Sequence, residues 1–232
     1  MNALLRRETL VEWKGLLPYA EAWRLQQEVA EGVKRGTGGE RLLLLQHPPV
    51  VTMARGADRS HVLLSSEELA SRGAELVECN RGGDVTYHGP GQLVGYPIID
   101  LKPDRCDVGQ YLRDLEQLLI ETLSVFGLTA SRKPGLTGVW VGHEKIAALG
   151  VHMSRWVTTH GFALNVSPAL EHFAWIVPCG IRDYGVTSME KLLGSRTPPV
   201  EDVARAVCEV FPTIFQRTLI GRPRSSAGAS EG

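Results

Sequence analysis

The chain has 232 residues, 43% of them hydrophobic, with 25 basic and 26 acidic side chains and a formal charge of −1. That balance gives no electrostatic draw toward nucleic acid or an anionic membrane surface, and no apolar run approaches the roughly 18 residues of a spanning helix. The length fits one large domain or two small ones, with enough apolar material for a substantial core.

The first residues, Met1 to Glu8, lack the apolar segment of a signal peptide. Cys79, Cys106, Cys179 and Cys208 are widely spaced and form no CxxC pair, so a cysteine zinc site is not expected. A reduced, cytoplasmic chain is the expectation.

Residues 19–33 read as an amphipathic helix opened by Pro18. Tyr19, Ala22, Trp23, Val29, Ala30 and Val33 share a face, with Gln26 as a polar gap. Glycines 36, 38 and 39 end it. Residues 41–46 hold four consecutive leucines between glycine and proline, the pattern of a strand buried on both faces. His47-Pro48-Pro49 turns the chain into a second strand at 50–53. Ser65 starts a short helix with Glu67 and Glu68 in its first turn, stopped at Gly73. A strand at 75–79 leads into Arg81.

Four glycines, Gly82, Gly83, Gly89 and Gly91, fall between Arg81 and Gln92. Glycine lets backbone N–H groups approach a ligand closely, and Pro90 fixes a turn. Two tight hairpin turns would account for the glycines. They would not account for Arg81, Tyr87, His88 and Gln92 crowded onto the same loops, where binding groups tend to sit. A β-rich run follows at 93–100. Residues 108–126 carry Tyr111, Leu112, Leu115, Leu118, Leu119, Leu123 and Phe126 at helical spacing and end at Gly127, which makes a core helix. Strands follow at 139–141, 145–152 and 157–164, the first two joined by a turn at 142–144. A last helix spans 200–215. From Arg222 the chain is rich in Gly, Ser and Ala, so one domain over 1–221 and a disordered tail at 222–232 are expected. Helices separated by hairpins indicate an α+β domain around a mixed sheet.

The run Arg81-Gly82-Gly83-Asp84-Val85-Thr86-Tyr87-His88-Gly89-Pro90-Gly91-Gln92 resembles the signature of the lipoyl(octanoyl) transferases, the LipB family. Further blocks match the same family: Gly138-Val139-Trp140 with the run from Lys145 to Val151, His160 to Asn165, Ile176 to Ile181, and Gly185 to Ser188. Together they cover about residues 42 to 193. The resemblance implies the fold shared with biotin and lipoate protein ligases, a class II synthetase-like arrangement of a large mixed sheet, a smaller sheet and outer helices. It implies an acyltransferase of lipoate biosynthesis that moves an octanoyl group from octanoyl-acyl carrier protein to a lysine of a lipoyl domain. The acceptors it implies are the lipoyl domains of 2-oxoacid dehydrogenase E2 subunits and the H protein of glycine cleavage. No metal and no cofactor are implied, since the thioester is already activated.

Two residues carry the chemistry in this reading. A lone cysteine among apolar neighbours usually belongs to a core, but Pro178 and Gly180 deny Cys179 regular structure on both sides. The resemblance places the family's nucleophile on Cys179, which suits transfer through a second thioester. A free thiol is only a few per cent ionised near pH 7 and needs activation. Lys145 reads as an edge lysine by residue type; the resemblance places the catalytic lysine there. An ammonium near a thiol favours the thiolate, and the same amine could serve as general base.

The resemblance maps the acyl-binding backbone onto Arg81 to His88, then Ala148, Leu149 and Gly150, then Gly161, Phe162 and Ala163. Burying the seven carbons beyond the carbonyl could contribute up to roughly 5–6 kcal/mol, and glycine-flanked N–H groups could hold an oxyanion. His88 is open between proton transfer and a structural bond. His160 is a candidate for shaping the pocket, and His47 could approach the same cleft. Two other readings stay open: an ATP-dependent lipoate or biotin ligase on the same fold, and a non-catalytic acyl-binding protein.

Overall fold

A computed structural model describes residues 7–103, 105–177 and 184–221. The elements in chain order are β1 (Arg7–Leu16), α1 (Tyr19–Arg35), β2 (Glu40–Gln46), β3 (Val50–Ala54), α2 (Ser66–Ser71), β4 (Glu75–Cys79), β5 (Val85–His88) and β6 (Gln92–Ile98). Then come α3 (Val108–Val125), β7 (Ser131–Lys133), β8 (Leu136–Val141), β9 (Glu144–Ser154), β10 (Val157–Asn165), β11 (Gly185–Val186), α4 (Met189–Leu193), α5 (Val200–Phe215) and β12 (Arg217–Ile220). The expected tail at 222–232 lies outside the described residues. No described helix is long and apolar enough to cross a membrane.

The large sheet runs β12-β1-β2-β6-β10-β9-β8-β7, with β11 added to β9. It is mixed: β1 is parallel to β12 and β2, and the pairs from β2 to β10 are antiparallel. The leucines of β2 show why it forms. Leu42 and Leu44 pack into the cluster under α3 and α5, while Leu43 and Leu45 pack into the cluster under α1. Alternate side chains point to opposite faces, so a strand covered on both sides must be apolar throughout. The second sheet, β4-β3-β5, has its own core of Val51, Met53, Val85, Tyr87, Trp175 and Ile176. α2 is closed by a capping box between Ser65 and Glu68. Pro18 sits at the N-cap position of α1, one step before the first helical residue.

A buried ion pair closes the outer edge of the large sheet. Arg217 Nε donates to Glu40 Oε2 at 2.6 Å and Nη2 to Oε1 at 3.2 Å. Glu40 also accepts from the Asp100 N–H and the Thr9 hydroxyl. The expected elements are present with small boundary changes; β1, β7, β11, α4 and β12 are additions to them.

Candidate active site

A cavity lies between the two sheets. One wall is β5 with the glycine loop before it, the other is β9 and β10, and Tyr19 of α1 joins them. Of the residues expected at the site, Arg81, Gly83, Asp84, Val85, Thr86, His88, Lys145, Ala148, Leu149, Gly150, His160, Gly161, Phe162 and Ala163 line it. Gly82 and Tyr87 do not. The Gly82 N–H donates to the Val151 carbonyl at 2.8 Å, which docks the loop on β9. Tyr87 points away between Thr86 and His88, because a strand alternates. Its ring packs on Phe173 and Trp175, and its hydroxyl bonds His172 Nδ1 at 2.7 Å.

Cys179 lies outside the described residues. The segments flanking it are tied to the cavity walls. The Val177 N–H donates to the His61 carbonyl at 2.7 Å, and Val186 pairs with Lys145 in the sheet. His61 Nδ1 lies 2.6 Å from Asp84 Oδ2, so one residue bridges that flank to the glycine loop.

Close backbone packing requires the glycines. Gly83 has φ 93°. A methyl group at Gly161 would come within 2.3 Å of the Gly95 carbonyl oxygen, so β10 and β6 could not keep their separation. Next to it, His160 holds φ 57° inside a strand, a costly conformation for a residue with Cβ. Two bonds hold it there. Its N–H donates to Gln26 Oε1 at 2.7 Å, and its Nε2 donates to Asn80 Oδ1 at 2.8 Å. Gln26, the polar gap in α1, is therefore the residue that reaches through to β10.

Three buried histidines stay neutral. His47 Nδ1 donates to the Leu17 carbonyl at 2.7 Å and its Nε2 accepts from the Tyr96 hydroxyl at 2.8 Å. Burial lowers it to about 4, against the bond to Leu17. Burial, then the Arg81 charge, lowers His160 to about 3. Burial and the neighbouring His47 push His88 well below its ordinary value. His88 Nδ1 donates to Gln92 Oε1 at 2.7 Å, Gln92 Nε2 donates to Asn165 Oδ1 at 2.9 Å, and Asn165 Nδ2 donates to the Thr187 carbonyl at 3.0 Å. This chain links β5, β6, β10 and the segment after β11. Beside them, the Arg81 guanidinium bonds the Thr52 carbonyl and hydroxyl and the Gly82 carbonyl. The cavity thus joins an apolar floor of Ala148, Leu149, Phe162 and Ala163 to a rim of fixed donors. That arrangement suits an alkyl chain ending in a polar acyl group.

Residues 18–212 match the model of the lipoyl protein ligase A/B catalytic domain. The chain belongs to this family. It is 49% identical over 216 residues to an octanoyltransferase of Solibacter usitatus, covering 93% of this chain and 96% of that one. An octanoyltransferase of Myxococcus xanthus is 49% identical over 215 residues, and the match spans 90% of this chain but 60% of that protein. By structure, the chain resembles lipoate-protein ligase A bound with ATP, with a TM-score of 0.69 and 15% identity over 94% of this chain and 90% of that one. It also resembles the Aquifex aeolicus biotin protein ligase in complex with biotin and ATP, at TM-score 0.53 and 13% identity over 89% and 70% of the two chains. The fold of this lipoyl protein ligase A/B domain is therefore the one shared by lipoate and biotin ligases.

Gln92, marked by the crowding on the glycine loops, lines the cavity, and so do Tyr19, Tyr96, Asn165, Phe173 and Val186, which were not among the expected site residues. Asn165 closes the block from His160 and Val186 lies in the block from Gly185, so both carried a signal, whereas Tyr96 shares a face of β6 with Val94 and reads as core. Phe173 reaches the cavity through tertiary packing alone.

Proposed function

We propose that this chain transfers an octanoyl group from octanoyl-acyl carrier protein to a lysine of a lipoyl domain, with Cys179 as nucleophile and Lys145 as proton carrier. The observation that carries the reading is the placement of Lys145 on the cavity wall beside the apolar floor, on the strand paired with the segment that follows residue 183. Octanoyltransferases of 49% identity support the acyl group and the reaction.

Lys145 takes the thiol proton of Cys179, and the thiolate attacks the donor carbonyl. The C–S bond to the enzyme forms, the carrier's C–S bond breaks, and its thiolate leaves with the proton from Lys145. The lipoyl-domain amine then attacks the enzyme thioester. A C–N bond forms, the enzyme C–S bond breaks, and the proton lost by the amine passes through Lys145 to Cys179. Backbone N–H groups at the glycine loop and β9–β10 hold the oxyanion. The neutral His88 and His160 shape the wall, and the Gln92–Asn165 chain fixes His88. Acceptors are the lipoyl domains of E2 subunits and the glycine cleavage H protein.

The test is incubation with octanoyl-acyl carrier protein without ATP, read by intact mass. The parent should gain one octanoyl group on Cys179 and pass it to a lipoyl domain. Lys145→Arg keeps a positive charge but no accessible neutral form; its charge still favours loss of the thiol proton to solvent, so it should still acylate, and with no base for the acceptor amine it should fail to transfer. Lys145→Ala should lose both steps. A parent that needs ATP would favour the ligase reading, and Lys145→Ala at parental rates would refute the base.

A further inference from the structure

Lys145 rests on a seat built by the neighbouring strand. Trp140 of β8 is its cross-strand partner, and the Lys145 ammonium stands 4.9 Å from the centre of the Trp140 ring. Two positions earlier, on the same face of β8, Gly138 holds φ 136°. A methyl group there would lie 3.1 Å from Lys145 Cε, 3.4 Å from its Cδ and 2.9 Å from the Ala147 carbonyl oxygen. Bare backbone at 138 thus makes room for the lysine stem, and the ring at 140 receives its charge. The bare stretch is pinned: the Gly138 N–H donates to Glu116 Oε1 at 3.0 Å, and Arg132 Nε donates to the other oxygen at 3.0 Å.

Trp140 is 1% exposed, yet its indole N–H is buried without a hydrogen-bond partner among the described residues. Buried tryptophans ordinarily satisfy that donor, and leaving it unmade costs stability. A phenylalanine or leucine would avoid the cost. What indole offers beyond them is the strongest negative face for a cation. A second ammonium, Lys133, uses the same ring at 4.8 Å and the Tyr184 ring at 4.0 Å, and Tyr184 packs edge-on against Trp140 at 5.3 Å.

We propose that Trp140, with Gly138 beside it, is a positioning residue for acyl transfer, holding the Lys145 nitrogen at the cavity wall and stabilising the charge it gains when it takes a proton. This rests on the reading of Lys145 as proton carrier. Charge on Nζ grows as the acceptor amine loses its proton, so the ring contributes most in the transition state. The effect belongs in the transfer rate and not in acceptor binding.

The experiment uses the full chain, pre-acylated on the enzyme and mixed with a lipoyl domain in single turnover. Trp140→Leu should transfer about tenfold more slowly, with the acceptor concentration dependence within about twofold of the parent. Trp140→Phe keeps a ring face and should stay within about threefold. Lys133→Met removes the second cation, leaves the seat intact and should transfer like the parent. In chain carrying ¹³C-lysine, two ε-methylene signals should be shifted upfield by the rings, that of Lys133 vanishing in Lys133→Met, and that of Lys145 vanishing in Lys145→Arg and returning to the ordinary position in Trp140→Leu. Parental transfer in Trp140→Leu, or a loss in Lys133→Met as large as in Trp140→Leu, would overturn the proposal. So would the absence of a ring-shifted Lys145 signal in the parent, which decides the matter even if Trp140→Leu fails to fold. If Lys145→Ala transferred normally while the shifted signal was present, the base reading would fall and the seat would stand as packing alone.

Discussion

Acidification should destabilise this protein well before its carboxylates titrate, and the buried histidines set the size of the effect. His47 falls to about 4 and His160 to about 3 in the folded chain, from an ordinary value of 6.5. The unfolded chain therefore binds more protons than the folded chain below about pH 6.5, and stability falls as pH falls. Their contribution is complete above about 6.5 and is lost progressively down to their folded values. Each ring removes about 1.4 kcal/mol per pH unit over that window. Between about pH 6.5 and pH 5 the pair removes about 4 kcal/mol, a large share of the 5–15 kcal/mol typical of a domain. His88 is shifted the same way and adds to the loss. The assay is urea unfolding across this range, followed by tryptophan fluorescence, with the slope against pH read as protons taken up. About two to three protons are expected near pH 5.5. His47→Gln can replace both hydrogen bonds without titrating and should lower the slope by about one proton. A stability that stays flat from about pH 7 to pH 5 would refute the burial argument.

Gly161→Ala should cost about 1–3 kcal/mol through overpacking against the Gly95 carbonyl, and it should abolish octanoyl transfer because the same residue lines the cavity. Thermal melting and a transfer assay check the two parts separately, and full activity would mean that β10 can shift without closing the cavity. Arg217→Met leaves the Glu40 carboxylate buried without its main partner and should cost about 3–5 kcal/mol. The double variant with Glu40→Leu should recover much of that in denaturant unfolding, and no recovery would show that the edge depends on Arg217 packing rather than on charge.

The parts of the fold that were legible in the sequence are those where burial dictates pattern. Four leucines in a short run between glycine and proline fit a strand covered on both faces better than a helix, and the apolar stripe of α3 faces a core. β1 escaped because Arg7 and Leu10 interrupt the alternation of Thr9, Val11 and Trp13 with Glu8, Glu12 and Lys14, while the strand gains its place from pairing with β2 and β12. The glycine loop announced a site, yet a contiguous motif hides the alternation of its strand, so Tyr87 was grouped with Thr86 and His88 although it faces the core of the small sheet. Gln26 read as a flaw in an apolar face. Its partner is the backbone of His160, a bond spanning 134 positions, and no local pattern encodes that. His61 and Asp84 meet for the same reason, through topology alone.

The pairing of β1 with β12 has a consequence for the nascent chain. Glu40 emerges from the ribosome long before Arg217, which lies 177 positions later. Until that arginine appears, the carboxylate has only the exposed Arg7, 3.6 Å away, as a counter-charge, and β1 lacks its outer neighbour. The large sheet cannot reach its final form until β12 has emerged, since contacts of such separation form late and slowly. During that interval the exposed edge of β1 offers unpaired backbone groups to any other strand nearby. Yield of active protein should therefore depend on how quickly translation runs from α5 through β12, and slow codons placed there should increase aggregation without altering the finished molecule.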